Sequence, residues 1–369
     1  MVKLLPLSGS RTRFPANRRR MAGLSLIELM IALLLGVILT LGATQVYLGT
    51  SQTYRLTDAI AHAQENVRFA TSMVQRDVRG AGGLACLQDT SGVTIKLQGT
   101  RVVPLGDGIL GWEASGTGIG AEHDAEDELA ADASGWSEGA GTGVFPAELT
   151  GEVVAGTDIL IVNSIETLPV EVTGSSSGRI DIDDESGIPQ GRIILAVTDD
   201  CSAGELFQKA NTATANSVTI AGSGFDPGNS PSTFALSYAG GAKVAAHSTV
   251  AYYIGIGASG APALFRQRLD TEPEGPQEMV EGVESMQVLY GVSTGVVKRA
   301  DTYVTADNVG NWQDVVSVRV AFLARSNDGA NSENVTRTFN LLGTEVTSEN
   351  DRRARLVAVS TIGIRNRLE

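Results

Sequence analysis

At 369 residues the chain can build one large domain with its own core, and it shows no internal repeat. Its formal charge of −14 argues against nucleic acid or anionic lipid as the partner of its main surface. With 43 glycines, loops must be numerous. The first stretch, Met1–Gly23, runs against that charge: Lys3, Arg11, Arg13, Arg18, Arg19 and Arg20 stand there without an acid. Such a segment stays on the cytoplasmic side of a membrane by the positive-inside rule. Pro6 and Pro15 speak against a helix of its own.

From Leu24 to Val46 the chain is apolar enough to span a bilayer, for which about 20 residues suffice. Glu28 is the anomaly, the sole ionisable side chain between Leu24 and Tyr47. An acid inside such a segment is costly and marks a functional position with a partner. A secretory signal peptide would be cut beyond the apolar run, yet GATQVYLGTSQTY continues straight into a helical pattern. An ordinary signal anchor would leave Glu28 unexplained. The stretch GLSLIEL resembles the type IV prepilin signature, with Glu five residues beyond Gly23. That resemblance implies cleavage by a prepilin peptidase after Gly23, a new and N-methylated terminus at Leu24, and an assembly role for Glu28. Removal of the 1–23 leader takes the formal charge from −14 down by six, to −20.

No proline occurs between Pro15 and Pro104, so the helix is expected to continue to Arg79. Leu56, Ile60, Ala63, Val67, Ala70, Val74 and Val78 recur at spacings of three and four and form one apolar face. Residues 24–47 thus read as a membrane or filament-core half and 48–79 as an amphipathic half, with Gly36, Gly42 and Gly49 weakening the helix by up to ~1 kcal/mol each. The run GAGG at 80–83 ends it.

Beyond it, 80–369 turns to short β-rich runs between Gly, Ser, Asn and Asp, which predicts an antiparallel sheet head. Expected strands are 93–97, 158–163, 170–173, 192–198, 217–221, 250–255, 263–269, 282–290, 315–323, 334–339 and 356–364. The stretch 106–151, rich in Gly, Ala and acid, reads as a long and partly mobile surface excursion. The fold class is therefore α+β, a long N-terminal helix packed on an antiparallel sheet head. Cys86 and Cys201 are the only cysteines. In an exported head they read as one disulfide, the alternative being two buried free thiols. The bridge would close a loop of 115 residues, worth about 4–5 kcal/mol in the chain-entropy picture.

The longer segments sharpen the resemblance. TYRLTDAIAHAQENVRFATSMVQRDVRGAGGLAC, DDCSAGELFQ, YYIG with ALFRQ, EMVEGVESMQVLYGV, TADNVGNWQDVVSVRVAFLARS and DRRARLVAVSTIGIRNRL together resemble the PilW family of minor pilins, which is similar to the J-type pseudopilins of type II secretion. The resemblance implies a type IV pilin-like fold and a non-enzymatic subunit of the pilus priming and tip complex. Its partners would be other minor pilins, the major pilin, a tip adhesin, the prepilin peptidase and the inner-membrane assembly platform. It would cross the inner membrane once, N-terminus cytoplasmic and head periplasmic, before entering the tip or base of a filament. The stretch 106–151 departs from the family pattern.

Catalytic patterns are present only in outline. Gly174–Gly178 and Gly291–Gly295 match G-x-S-x-G without the strand–helix setting of a nucleophile elbow. Gly255–Gly260 matches G-x-G-x-x-G, but APALFRQ after it reads as strand, so no helix N-terminus would face a phosphate. His62, His123 and His247 have no metal-ligand spacing. Asp181, Asp183 and Glu185 open like a calcium loop, yet Arg192 stands where the bidentate acid belongs. These acids, and those of 122–128, read as solvated turns. No cofactor or metal is expected. Two function classes remain, a filament subunit and a membrane-tethered hydrolase or binding protein, with Glu28 favouring the first because a tether needs no carboxylate there. Within the first class a type II secretion pseudopilin is the alternative to a pilus subunit.

Overall fold

The computed structural model describes residues 23, 25–98, 105–140, 144–224, 226–270, 275–295 and 298–367. The basic stretch 1–22, most of the expected leader, lies outside them, as does Leu24. The chain divides into two compact units, 1–53 and 54–369. One helix, Leu26–Arg79, contributes to both.

In the first unit the helix buries nothing. Leu26, Leu39 and Val46 are 76%, 77% and 71% exposed, and every residue of 26–50 is open. Its polar hydroxyls are satisfied internally: Thr40 donates to the Gly36 carbonyl (2.7 Å), Thr44 to Thr40 (2.8 Å) and Thr50 to Val46 (2.8 Å). Back-bonding of this kind hides a hydroxyl from an apolar surrounding. The segment is long and apolar enough to cross a membrane.

In the second unit the same helix buries Ala63, Val67, Ala70, Val74 and Val78 of the expected stripe, together with Met73, while Leu56 and Ile60 at its start are only half-buried. Ala70, Val74 and Val78 enter the main core, and Ala63 and Val67 meet Ala324 and Ala358. The polar rim is pinned too. Tyr252 donates its hydroxyl to Asp77 (2.7 Å), and Asn66 donates to the Glu281 carbonyl (3.0 Å). The helix stops at Arg79 because the GAGG run must pass close to other backbone. A Cβ on Gly108 would lie 2.6 Å from Gly82 N, and Gly82 itself takes φ +71°.

The largest sheet has nine strands, built around the 14-residue strand Lys243–Ile256. Along its length that strand pairs antiparallel with Ile193–Val197, with Ile159–Thr167 and with Pro262–Arg268. Gln277–Glu281 extends the sheet beyond Pro262–Arg268, and Gly204–Gln208 beyond Ile193–Val197. A four-stranded antiparallel sheet follows, in the order Thr302–Val304, Val283–Val292, Val315–Arg325, Arg355–Gly363. Two three-stranded sheets complete the unit. One joins Val172–Ser176, Arg179–Ile182 and Ser217–Thr219; the other joins Thr338–Leu341, Thr344–Thr347 and Glu122–Asp124.

The stretch 106–151 differs from the surface excursion expected. Ile109–Ala114 is buried throughout and pairs with Ile159–Thr167, while Trp112, Trp136 and Leu149 belong to the main core. Gly111, which weakens any strand signal, is required there: a Cβ would fall 1.8 Å from the Tyr290 hydroxyl. Of the acids of 122–128, Glu122, Asp124, Glu126 and Glu128 are exposed as expected, though Glu122–Asp124 is a strand and Asp127 is engaged. Asp127 accepts two hydrogen bonds from Arg325 (2.9 and 2.7 Å), whose side chain is almost wholly buried.

Candidate functional site

Of the residues expected for processing and assembly, Gly23 precedes the helix and Glu28 sits in its first turn. Gly23 is exposed, and Leu24 is outside the described residues. Ser25 precedes the first helical residue, and its backbone N–H donates to Glu28 Oε2 at 3.1 Å. Its carbonyl accepts from Leu29 N at 3.0 Å. This is one half of a capping box, in which an acid at the third helical position satisfies a backbone N–H that the helix cannot. A carboxylate in the first turn also opposes the positive end of the helix dipole. Glu28 therefore has a local duty in the isolated chain, and the S-x-x-E spacing that signals it was legible in the sequence. Its Oε1 is left for a second donor.

Cys86 and Cys201 are joined, with Cα atoms 5.5 Å apart and a sequence separation of 115. Cys86 packs with Leu87, Val93 and Leu97 against the buried Ile193, Leu195, Val197 and Leu206. The bridge ties the segment after the helix to the turn between two strands of the main sheet.

The nucleophile-like and loop-like motifs are all structurally employed. Gly174–Gly178 lies in the hairpin of Val172–Ser176 and Arg179–Ile182, where the Ser175 hydroxyl accepts from Tyr238 N at 2.7 Å. Gly255–Gly260 turns Lys243–Ile256 into Pro262–Arg268 and faces no helix. Asp181 pairs with Arg179, and Asp183 accepts from Glu171 N at 2.7 Å. Among the described residues no group of three or more His, Cys, Asp or Glu is placed to hold a metal. His62 and His123 stand apart from each other, and His247 is buried 3.6 Å from Asp270.

Sequence reading missed the buried charges. Asp158 accepts from Ala114 N (3.0 Å) and Val288 N (2.8 Å), tying three strands of two sheets through one carboxylate. Burial raises its pKa well above the usual range, and Glu113 adds repulsion. Glu113 is pushed up to about 7, chiefly by burial. Lys96 and Glu205 form a buried ion pair at 2.8 Å, and Glu205 also accepts from the Tyr238 hydroxyl at 2.9 Å. Arg355 grips Glu284 (2.7 and 2.9 Å) and Asp351 (2.7 and 2.8 Å) with bidentate bonds. An acid or base inside an apolar run, as in ILGWEA or TDILIV, is the signal that points to such groups. These networks hold strands together, and Glu113 also lines a groove of about 310 Å³ with Thr117, Tyr303 and Thr305.

Two family models match this architecture. The family described as type IV pilus-assembly protein W, PilW, matches residues 251–366. The prokaryotic N-terminal methylation motif matches residues 18–44. No curated protein matches the chain. Among solved structures, a type IV-like pilin from Thermus thermophilus is 18% identical and covers 33% of this chain and 67% of its own, at a TM-score of 0.22. The PilW match spans the Pro262–Arg268 hairpin, the whole four-stranded sheet and the Arg355 network, while the methylation motif spans Gly23 and Glu28.

Proposed function

We propose that this chain, a type IV pilus-related pilin of the PilW family, is a minor pilin: a non-enzymatic subunit of the complex that primes pilus assembly and remains at the filament tip. The observation that carries the reading is Glu28, the lone carboxylate of the wholly exposed apolar stretch 26–50, five residues past Gly23 and inside the methylation motif. A prepilin peptidase cuts after Gly23 on the cytoplasmic face of the inner membrane, and the Leu24 amine is methylated. The apolar helix holds the subunit in the membrane with the head in the periplasm until partner pilins and the assembly platform extract it. In the assembly, Glu28 Oε1 takes the terminal amine of an adjacent pilin while Oε2 keeps the Ser25 N–H. Desolvation offsets much of the attraction of that pair, so its effect is on register and recruitment.

Mass spectrometry of membrane-extracted protein is expected to find a methylated terminus at Leu24. An intact Met1 or a cut after Ala43 would sink the assignment. Glu28→Ala and Glu28→Gln then separate cap from charge, because an amide still caps a helix but cannot pair ionically. Both variants should be cut, inserted and folded, yet both should leave the sheared-pilus fraction, with pilus number reduced. Normal piliation by the Gln variant alone would assign Glu28 to the cap only.

A further inference from the structure

The helix ends beside a groove of about 490 Å³ lined by Ser72, Gln75, Arg76, Arg79, Arg365 and Asn366. Arg365 arrives there from the far end of the chain and is fixed by its neighbours. Asn366 Nδ2 donates to the carbonyls of Gly80 (3.4 Å) and Ala81 (3.0 Å), and Arg367 donates to those of Gln313 and Gly106. No carboxylate lines the groove. Arg76 Nε lies 3.6 Å from Asp77 Oδ1, but the other oxygen of Asp77 serves Tyr252 and Arg266. Among the described residues neither Arg79 nor Arg365 has an ion-pair partner. The negative end of the helix dipole matches only about half an elementary charge. Among the described residues, three exposed guanidiniums therefore stand nearly unmatched, in a chain whose formal charge is −14.

The groove continues. Ser72 and Gln75 also line a second groove of about 460 Å³, which carries Arg68 on the helix wall and Leu356, Ala358, Val359 and Ser360 on the other. It too lacks an acid, and Arg355–Gly363 is the edge strand of its sheet. A small anion would fill a fraction of this length; an extended acidic segment fills it all. Guanidinium forks match carboxylates in pairs. An anionic membrane would be repelled by the acidity of the chain as a whole.

We propose that this arginine groove docks a carboxylate-rich segment of a neighbouring pilin subunit. The proposal rests on the filament-subunit reading above. The chain's own segment 121–129, AEHDAEDEL, supplies a probe of the right chemistry, since Glu122, Asp124, Glu126 and Glu128 are exposed.

The test is fluorescence anisotropy of that labelled peptide with the full chain in neutral detergent at low salt. Binding should fall at least tenfold in an Arg76→Gln, Arg79→Gln, Arg365→Gln triple variant and severalfold in Arg79→Gln or Arg365→Gln alone, where no ion pair is disturbed. It should fall with added salt and vanish for a peptide with Gln and Asn in place of its acids. Arg299→Gln, an exposed arginine elsewhere, should bind as wild type. Equal binding by the triple variant, its melting unchanged, would overturn the proposal. So would a triple variant that loses phosphatidylglycerol vesicles while keeping the peptide. In cells, the triple variant should be cut after Gly23 but depleted from sheared filaments. A wild-type chain missing from those filaments refutes the filament reading instead, and the peptide measurement stands apart from it.

Discussion

The two parts of one helix, 26–53 and 54–79, differ in what can stabilise them. Both are helical and both are rich in Leu, Ile, Val and Ala. The second part presents its apolar residues on one face, and Val67, Ala70, Val74 and Val78 meet a core that the chain itself supplies. Each buried valine there contributes about 1.5–3 kcal/mol relative to exposure. The first part is apolar around its whole circumference, and none of its residues from 26 to 50 is covered. Helix propensity is too weak to compensate such exposure in water. Its stability has to come from outside the chain, from a bilayer or from packed neighbouring helices. The methylation motif falls on this part and the PilW match on the head, so two sequence signals mark two kinds of environment.

The comparison breaks if the head's stability turns out to depend on the first unit, and three experiments sharpen it. The largest effect is expected from Cys86→Ser with Cys201→Ser. Opening a 115-residue loop should cost the head about 2–5 kcal/mol in denaturant unfolding. Helicity of the first unit in detergent should not change. Mass mapping without reductant is expected to find Cys86 linked to Cys201, and free thiol at both sites under oxidising conditions would remove the basis of the prediction.

The next effect is on pH dependence, which belongs to the head. Glu113 is raised from 4.5 to about 7 by burial, and Asp158 moves in the same direction. The folded state therefore holds protons that the unfolded state releases. For Glu113 the stabilisation is complete below about pH 4.5 and is lost as pH climbs through 7. The size for Glu113 is about 3 kcal/mol. Asp351 opposes this at low pH: despite its burial, bonds from Arg355 hold its carboxyl below the usual range. The informative quantity is therefore the difference between wild type and Glu113→Gln. The amide should remove the decline between pH 5 and 7 and leave the acid limb in place. Parallel pH profiles would mean that Glu113 is already ionised in the fold.

The helix and most of the strands could be read from sequence because their signals are local. A repeat of three and four fixes the buried face of 54–79 without reference to anything else. Ile109–Ala114 could not be read that way. Gly111 and Glu113 break its β pattern, and both make sense only against distant partners, the Tyr290 hydroxyl and Ala306 N. Likewise Lys243–Thr249, an Ala- and Ser-bearing run, becomes strand because Ile193–Val197 and Ile159–Thr167 flank it. At the candidate site, Gly23 and Glu28 stood out through the resemblance of GLSLIEL to the prepilin signature and through a lone acid in an apolar run. The cap from Ser25 was equally local, yet an acid in an apolar run drew attention away from it. The arginine groove was not readable, since Arg365 joins Arg76 and Arg79 only after the C-terminal turn is clamped to the helix exit.

The smallest effect tests the helix halves directly. Val74 is fully buried in the main core, and Leu34 is 61% exposed in the first unit. Val74→Ala removes two methyl groups from a packed site and should lower head stability by about 2 kcal/mol, part of it from the cavity left behind. Leu34→Ala removes more apolar volume and also gains helix propensity. On hydrophobicity alone, averaged over the helix, Leu34 would be the more damaging change. If stability is set by what each side chain touches, the order reverses. Denaturant unfolding in detergent, followed by tryptophan fluorescence from the buried Trp112, Trp136 and Trp312, reports the head alone. The expected midpoint falls for Val74→Ala and stays at the wild-type value for Leu34→Ala. An equal fall in both would show that the head draws on the first unit, and the division of the helix into two environments would have to be abandoned.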